Sequence, residues 1–353
     1  MFAQHLLTMA DSFRTSDIHI LPEQKHYDIY FRLNGQMDKQ FYLDREEGSR
    51  LISYFKYRSN MDVGEKRRPQ SGSMTFHLKE KAVDLRFSTI SNYQSQESLV
   101  IRLLKQKDAN QQEIGAFFRY EWEVLKKLVD AKSGLLLFAG PVDSGKTTTM
   151  YHLVKNRLDG EKQQVITVED PVEIEEVTFL QTQVNETAGI SYEHLLKSSL
   201  RHHPDVIIVG EIRDEETAKM VMRGALTGHL IVASIHAKNC RGVISRLLEL
   251  GISQTILEQT LIGVAFQNLI PLYCSLCESN CQTYCSHYPR DQKRAALFEV
   301  KTGAPLKDWF NTNCSESANN QKGQRDFNHL LEKVKMYGYI SEKTYHRYLI
   351  SNQ

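Results

Sequence analysis

Through the first hundred residues, apolar and polar positions mostly alternate with a period of two, the mark of half-buried strands. His26–Leu33 (HYDIYFRL) has this pattern and runs into Asn34-Gly35, a favoured hairpin turn, after which Gln36–Tyr42 resumes it. Ser73–Leu78 and Ala82–Ile90 predict a second hairpin, and Leu99–Leu104 a further strand. Between the hairpins, the apolar spacing of Arg50–Tyr57 predicts a helix. These elements make a small α+β module over residues 1–104. Lys105–Glu113 (KQKDANQQE) has no apolar period, so 105–117 is expected to be a linker.

From Phe118 the pattern changes to helices alternating with short, wholly apolar strands. Helices are predicted at Trp122–Ala131, Lys146–Leu158, Tyr192–Arg201 and Thr217–Leu226. Strands are predicted at Gly134–Ala139, Val165–Val168, Val206–Val209 and Leu230–Ser234. Strands apolar at every position and separated by helices imply a parallel sheet covered on both faces. The expected class is therefore α/β, with the core at 118–270. A C-terminal region at 271–353 holds a cysteine cluster, a helix near Asp291–Glu299, a polar stretch at Asn311–Gln324 and two terminal helices.

Composition narrows the function. Of 353 residues, 44 are Lys or Arg and 43 Asp or Glu, leaving a formal charge of +1. A nucleic-acid coat protein would carry a basic excess, which argues against that role without excluding a local basic groove; read with the motifs below, no direct nucleic-acid contact is expected. The longest apolar runs fall far short of a membrane span. The opening MFAQHLLTMADSF has neither the basic start nor the apolar centre of a signal peptide. Four of the six cysteines lie between Cys274 and Cys285, which suits a metal site of a reducing compartment better than a disulfide framework.

Four segments carry candidate chemistry. Gly140 to Thr147 (GPVDSGKT) fits G-x-x-x-x-G-K-[ST] between an apolar strand and a helix. There the glycines let backbone N–H groups wrap phosphate oxygens, and the helix N-terminus favours the negative charge. Gly140, Ser144, Gly145, Lys146, Thr147 and Thr148 form the expected nucleotide set, with Lys146 reaching the β- and γ-phosphates and the Thr147 hydroxyl on Mg²⁺. Asp205–Glu211 (DVIIVGE) delivers a carboxylate, Glu211, at the end of an apolar strand, as a Walker B element does. Glu169, Asp170 and Glu173 cluster after another strand, where Mg²⁺ and water near a γ-phosphate would offset their mutual repulsion. His229 and His236 flank one more strand, and histidine can donate to phosphate or carboxylate.

In this order, GPVDSGKTTTM, ITVEDPVE, LRHHPDVIIVGEIRD and TGHLIVASIHAKN resemble the Walker A, Asp, Walker B and His boxes of the secretion and type IV pilus ATPase superfamily. SDIHILPE, RLNGQM, RRPQSGS and DLRFSTISNYQSQESLVIRLL are similar to that family's N-terminal domain. The resemblance covers roughly Ser16 to Val300. It implies a PAS-like N-terminal domain joined to a RecA-like, Mg²⁺-dependent ATPase domain and assembled as a homo-hexameric ring. It further implies that Glu173 is the general base, Glu211 a Mg²⁺-side carboxylate, and His229 and His236 the His-box residues. Arg86 and Arg102 match arginines that reach the γ-phosphate side of a nucleotide.

Cys274, Cys277, Cys281 and Cys285, with His287 following, could bind Zn²⁺ or could remain reduced, partly buried thiols. A short chain with a cysteine motif resembles the competence-type assembly ATPases of Gram-positive bacteria within this family. The expected protein is thus a cytoplasmic motor at the inner face of the membrane. It would use ATP to assemble a pseudopilus for DNA uptake, docking on a polytopic membrane platform and moving pilin-like subunits indirectly. A retraction or general secretion motor, or a nucleotide-binding scaffold of weak turnover, are the alternatives. The last is motivated by Asp143, an acid in the phosphate loop where the family usually has Thr-Gly in place of Val142-Asp143.

Overall fold

The protein is described from a computed structural model covering residues 2–13, 15–33, 36–77, 82–104, 115–158, 163–185, 188–280, 285, 287–288, 292–311 and 325–350. The Asn34-Gly35 turn, positions 105–114 of the linker, Cys281, Cys314 and nearly all of the polar stretch lie outside the described residues. The chain divides into two compact units, Met1–Lys107 and Asp108–Gln353.

The first unit opens with α1 (Phe2–Ser12), whose Ala3, Leu6, Leu7 and Ala10 are spaced to bury one face in the unit's core. Six antiparallel strands follow: β1 (Asp17–Pro22), β2 (His26–Leu33), β3 (Gln36–Asp44), β4 (Gln70–His77), β5 (Ala82–Ser91) and β6 (Glu97–Leu104), in the order β3-β2-β1-β6-β5-β4. Between β3 and β4 lies α2 (Arg45–Arg58). Asp44 accepts from the Glu47 N–H while the Glu47 carboxylate accepts from the Asp44 N–H, so a capping box fixes the start of α2. Its Leu51, Ile52 and Phe55 join Ile18, Ile20, Ile29, Phe31, Phe87 and Ile101 in one core. Lys56 on the same helix is fully buried and donates to Glu97 at 2.5 Å and to Glu65 O at 2.6 Å. A buried cation needs both partners.

The second unit begins with α3 (Arg119–Val129) and continues β7 (Gly134–Ala139), α4 (Lys146–Arg157), β8 (Val165–Glu169), β9 (Leu180–Gln183), α5 (Tyr192–Arg201), β10 (Val206–Val209), α6 (Glu215–Leu226), β11 (Leu230–Ile235), α7 (Cys240–Glu249), α8 (Gln254–Thr260) and β12 (Leu261–Pro271). After these come β13 (Tyr273–Cys274), β14 (Ser279–Asn280), β15 (Arg294–Thr302), α9 (Ala304–Asn311), α10 (Phe327–Met336) and α11 (Glu342–Tyr348). The sheet order is β15-β12-β7-β11-β10-β8-β9, parallel except for the antiparallel edge strand β15. Alternate strand residues feed separate cores. Leu135, Leu137, Ile207 and Val209 face one layer, and Leu136, Phe138, Val206 and Ile208 the other. Both faces are covered, which is why these strands are apolar throughout.

One expectation is corrected here. The helix near Asp291–Glu299 is the strand β15, because RAALFEVKT pairs with β12 along its whole length and buries most of its residues. Tertiary pairing overrides its helical propensity. Beyond residue 270, β15 adds the antiparallel edge of the sheet, and α10 packs Phe327 on Phe266 at 5.1 Å between ring centroids. Among the described residues, no helix is long and apolar enough to cross a membrane.

Candidate nucleotide-binding site at the carboxyl edge of the parallel sheet

Parallel strands all end on one edge, and there the backbone turns away, leaving room for a ligand. The phosphate loop leaves β7 at this edge, the acidic segment leaves β8, Glu211 follows β10 and His236 follows β11. Three loop residues adopt left-handed backbone: Gly140 (φ 148°), Asp143 (φ 61°) and Gly145 (φ 84°). A Cβ on Gly140 would lie 2.2 Å from the carbonyl oxygen of Gln267, so only glycine fits there. Gln267 on β12 is buried and donates to Ser144 O at 2.7 Å, tying the loop to the sheet. Among the described residues, the Ser144 hydroxyl and the Thr149 hydroxyl on α4 are buried without a hydrogen-bond partner. Thr147 and Thr148 follow Lys146 on the first turn of α4, whose amide donors have no intrahelical acceptor.

Lys146 donates to the carbonyls of Gly140 at 2.9 Å and Pro141 at 3.0 Å. Burial lowers its pKa, and the carboxylates of Glu211 and Glu173 partly offset that. The loop lysine and the two predicted acids therefore share one electrostatic site. This glycine-wrapped turn, helix N-terminus and cation fit a nucleotide's phosphates, and the Thr147 hydroxyl with Glu211 supplies the oxygen donors that Mg²⁺ prefers.

Glu211 is held by its backbone neighbours: Gly210 donates to Val168 O at 2.8 Å, and Ser234 donates to Gly210 O at 2.5 Å. Its carboxylate lies between His236, 3.0 Å away, and Arg213, whose Nε donates at 2.9 Å. Arg213 also reaches Asp170 at 3.1 Å. Thus the Walker B and Asp-box acids are joined by a cation that sequence reasoning left without a role, although it stands in GEIRD.

The three clustered acids have different fates. Glu173 is exposed at the end of the segment. Asp170 is paired with Arg213. Glu169 is almost wholly buried, accepting from Tyr151 and from Thr167 at 2.7 Å. Burial pushes its pKa up, and the hydroxyls offset only part of this. Tyr151 in turn accepts from Gln181 at 2.8 Å, so Glu169 anchors the segment rather than facing the edge.

His229 is not brought to this edge. It precedes β11 and lies at the opposite end of that strand from His236, with Nδ1 3.3 Å from Gly224 O. A six-residue strand separates the two by about 20 Å. In the first unit, Arg86 and Arg102 are directly opposed on β5 and β6. Arg102 donates to the buried Asp17 at 2.9 Å, and Arg32 lies 3.8 Å from the same carboxyl group. One acid thus serves two arginines in a row that ends at Arg86.

Away from the edge, β13 and β14 form a knuckle carrying Cys274 and Cys277. These two, Cys285 and His287 place four ligand atoms within 4.8 Å of one another. Of the expected sulfurs, Cys274, Cys277 and Cys285 meet here with His287 beside them, and Cys281 lies outside the described residues. Cys277 Sγ is 3.5 Å from Cys285 Sγ and 3.4 Å from His287 Nδ1, while Cys274 Sγ is 3.3 Å from that nitrogen. Such spacings suit the edges of a tetrahedron around Zn²⁺, and thiolate with imidazole is a donor set that zinc favours. Cys240, by contrast, is fully buried in the core, and burial pushes its thiol well up.

A family model described as type II/IV secretion system protein matches residues 2–348. Competence protein ComGA of Bacillus subtilis (strain 168) is 39% identical over 347 residues, covering 98% of this chain and 97% of the relative. Competence protein ComGA of Streptococcus pneumoniae is 45% identical over 268 residues, 76% of this chain and 83% of the relative. The X-ray structure of the Legionella pneumophila ATPase DotB superposes with a TM-score of 0.70, covering 98% of this chain and 94% of that one. At 19% identity that likeness is one of fold.

Proposed function

The chain belongs to the type II/IV secretion system protein family, and we propose that it is the ATPase of a competence machine, driving assembly of a pilus-like pseudopilus for DNA uptake. The observation that carries this reading is the meeting, at one sheet edge, of the phosphate loop, Lys146, Glu173, Glu211 and His236, in a chain similar end to end to a competence protein. Bound Mg²⁺–ATP supplies the scissile phosphoanhydride and the cation that offsets charge developing on it. Lys146 leaves its loop carbonyls to hold phosphate oxygens. Glu173, free of the burial that immobilises Glu169, orients water and takes its proton. Glu211 and Thr147 would hold the Mg²⁺ ion, and His236 and Arg213 orient the Glu211 carboxylate.

The antiparallel first unit is read as the PAS-like domain of the family, and the second as RecA-like. Arg86 and Arg102 act in trans within a homo-hexameric ring, where arginines meeting the γ-phosphate side contribute on the order of 10³–10⁵ in rate. Cys274, Cys277, Cys285 and His287 would hold a structural zinc ion that closes the loop between β12 and β15. The motor works at the inner face of the membrane through a polytopic platform protein and moves pilin-like subunits without contacting DNA.

ATP hydrolysis by the purified oligomer tests this reading. Lys146→Ala and Glu173→Gln should each lower the rate by about 10²-fold or more, and the wild-type preparation should contain stoichiometric zinc. Equal rates in the three proteins would overturn the motor and leave a nucleotide-binding scaffold.

A further inference from the structure

The phosphate loop of this chain places a carboxylate, Asp143, where a polyanion is to bind. Left alone, that charge would repel the phosphates. Arg294 stands against it, donating from Nη1 to Asp143 Oδ2 at 2.9 Å. The two residues are 151 positions apart in sequence, so only the sheet brings them together.

Arg294 is set firmly. It is the first residue of β15 and pairs with Pro271 on β12, the strand whose Gln267 holds Ser144 of the same loop. The preceding residue, Lys293, accepts from the Leu272 N–H at 2.9 Å and, itself buried, donates to Cys285 O at 2.7 Å. The Arg294 side chain is 24% exposed against 55% for Asp143. Asp143 occupies the left-handed region at φ 61°, a conformation that aspartate tolerates better than most residues. A half-exposed ion pair adds little to fold stability. Its consequence lies instead in the local potential, because the loop meets its ligand with the acid already neutralised.

We propose that Arg294 is a positioning residue for nucleotide binding that acts through Asp143, cancelling the loop's extra negative charge so that phosphates can approach. The inference rests on the nucleotide reading of the loop and deepens it. It assigns a partner to the very residue that departs from the family pattern.

Titration of the full chain with a fluorescent ATP analogue tests the pair, using Arg294→Gln, Asp143→Asn and the double variant, with Lys146→Ala as control. Arg294→Gln should weaken binding on the order of three- to tenfold, less at high salt, the size expected of one screened charge near a phosphate. Asp143→Asn should bind as tightly as wild type or more tightly, and it should restore the Arg294→Gln variant to within about twofold of wild type. A purely structural Arg294 would not be rescued by changing an exposed loop residue. Wild-type affinity in Arg294→Gln, weakened binding in Asp143→Asn, or a double variant as weak as Arg294→Gln would each overturn the proposal. Equal binding by wild type and Lys146→Ala would instead overturn the nucleotide reading, and the proposal with it.

Discussion

In the antiparallel sheet of the first unit, β5 buries Val83, Leu85, Phe87 and Thr89 while Asp84, Arg86, Ser88 and Ile90 stay at least partly exposed. In the parallel sheet of the second unit, β7, β8, β10 and β11 bury every residue. The first sheet has a core on one face, so charge can stand in mid-strand: Arg86 faces Arg102 across the ladder. The second has cores on both faces, and its parallel strands relegate charge to their ends, while Glu299 and Lys301 on the antiparallel edge strand lie 3.6 Å apart as a buried pair. Lys146, Asp170, Glu173, Glu211 and His236 all lie just past a carboxyl terminus, so the chemistry gathers at that edge by exclusion from everywhere else. The one acid within a parallel strand, Glu169, is the one shielded by Tyr151 and Thr167.

This contrast can be broken deliberately. Ile208→Asp puts an unpaired charge in the middle of β10 and should cost more than about 5 kcal/mol, abolishing cooperative thermal unfolding of the second unit. Ser88→Asp on β5 should change stability by less than about 1 kcal/mol. Similar losses in the two variants would mean that the sheets do not differ in the way described. Within the first unit the core is as strict as in the second. Lys56→Ala strands Glu97 and should cost about 3–5 kcal/mol in denaturant unfolding, whereas replacing both residues by methionine should recover most of it. A single variant as stable as wild type would remove the buried pair from the account.

Smallest of the three is Glu169→Gln. Burial raises the folded pKa of Glu169 above its ordinary 4.5, so the native state keeps a proton that the unfolded chain releases. Its contribution is full below about pH 4.5 and is lost as pH rises through the raised value. The melting temperature of the wild type should carry this decline. The glutamine variant, which mimics the protonated acid, should lack it and differ by less than about 1 kcal/mol at the acid end. An unchanged pH profile in Glu169→Gln would show that the carboxyl is ionised in the native state.

Much of this was legible in the residues. The change from period-two patterning to apolar runs separated a one-sided sheet from a two-sided one, and GPVDSGKT placed the phosphate loop between β7 and α4. β12 is not legible from pattern alone, because LIGVAFQNLIP is long and apolar on both faces, and only the structure separates the buried, loop-holding Gln267 from its neighbour Asn268. β15 was misread because RAAL favours a helix until a neighbouring strand offers hydrogen bonds along its whole length. The two histidines looked equivalent along the chain, each beside the same strand, but a strand has two ends and only one faces the site.

By itself the sequence determined the local matters: which segments are strands of which kind, where a phosphate could be wrapped, and which acids stand beside it. These depend on spacing within a few residues. The tertiary structure alone decided which charges meet. Arg213 joins Glu211 to Asp170, Arg294 covers Asp143, and His287 stands with three cysteines. Electrostatics and coordination act over a few Å in space, and residues 43 or 151 positions apart reach that range only when a particular strand order carries them there.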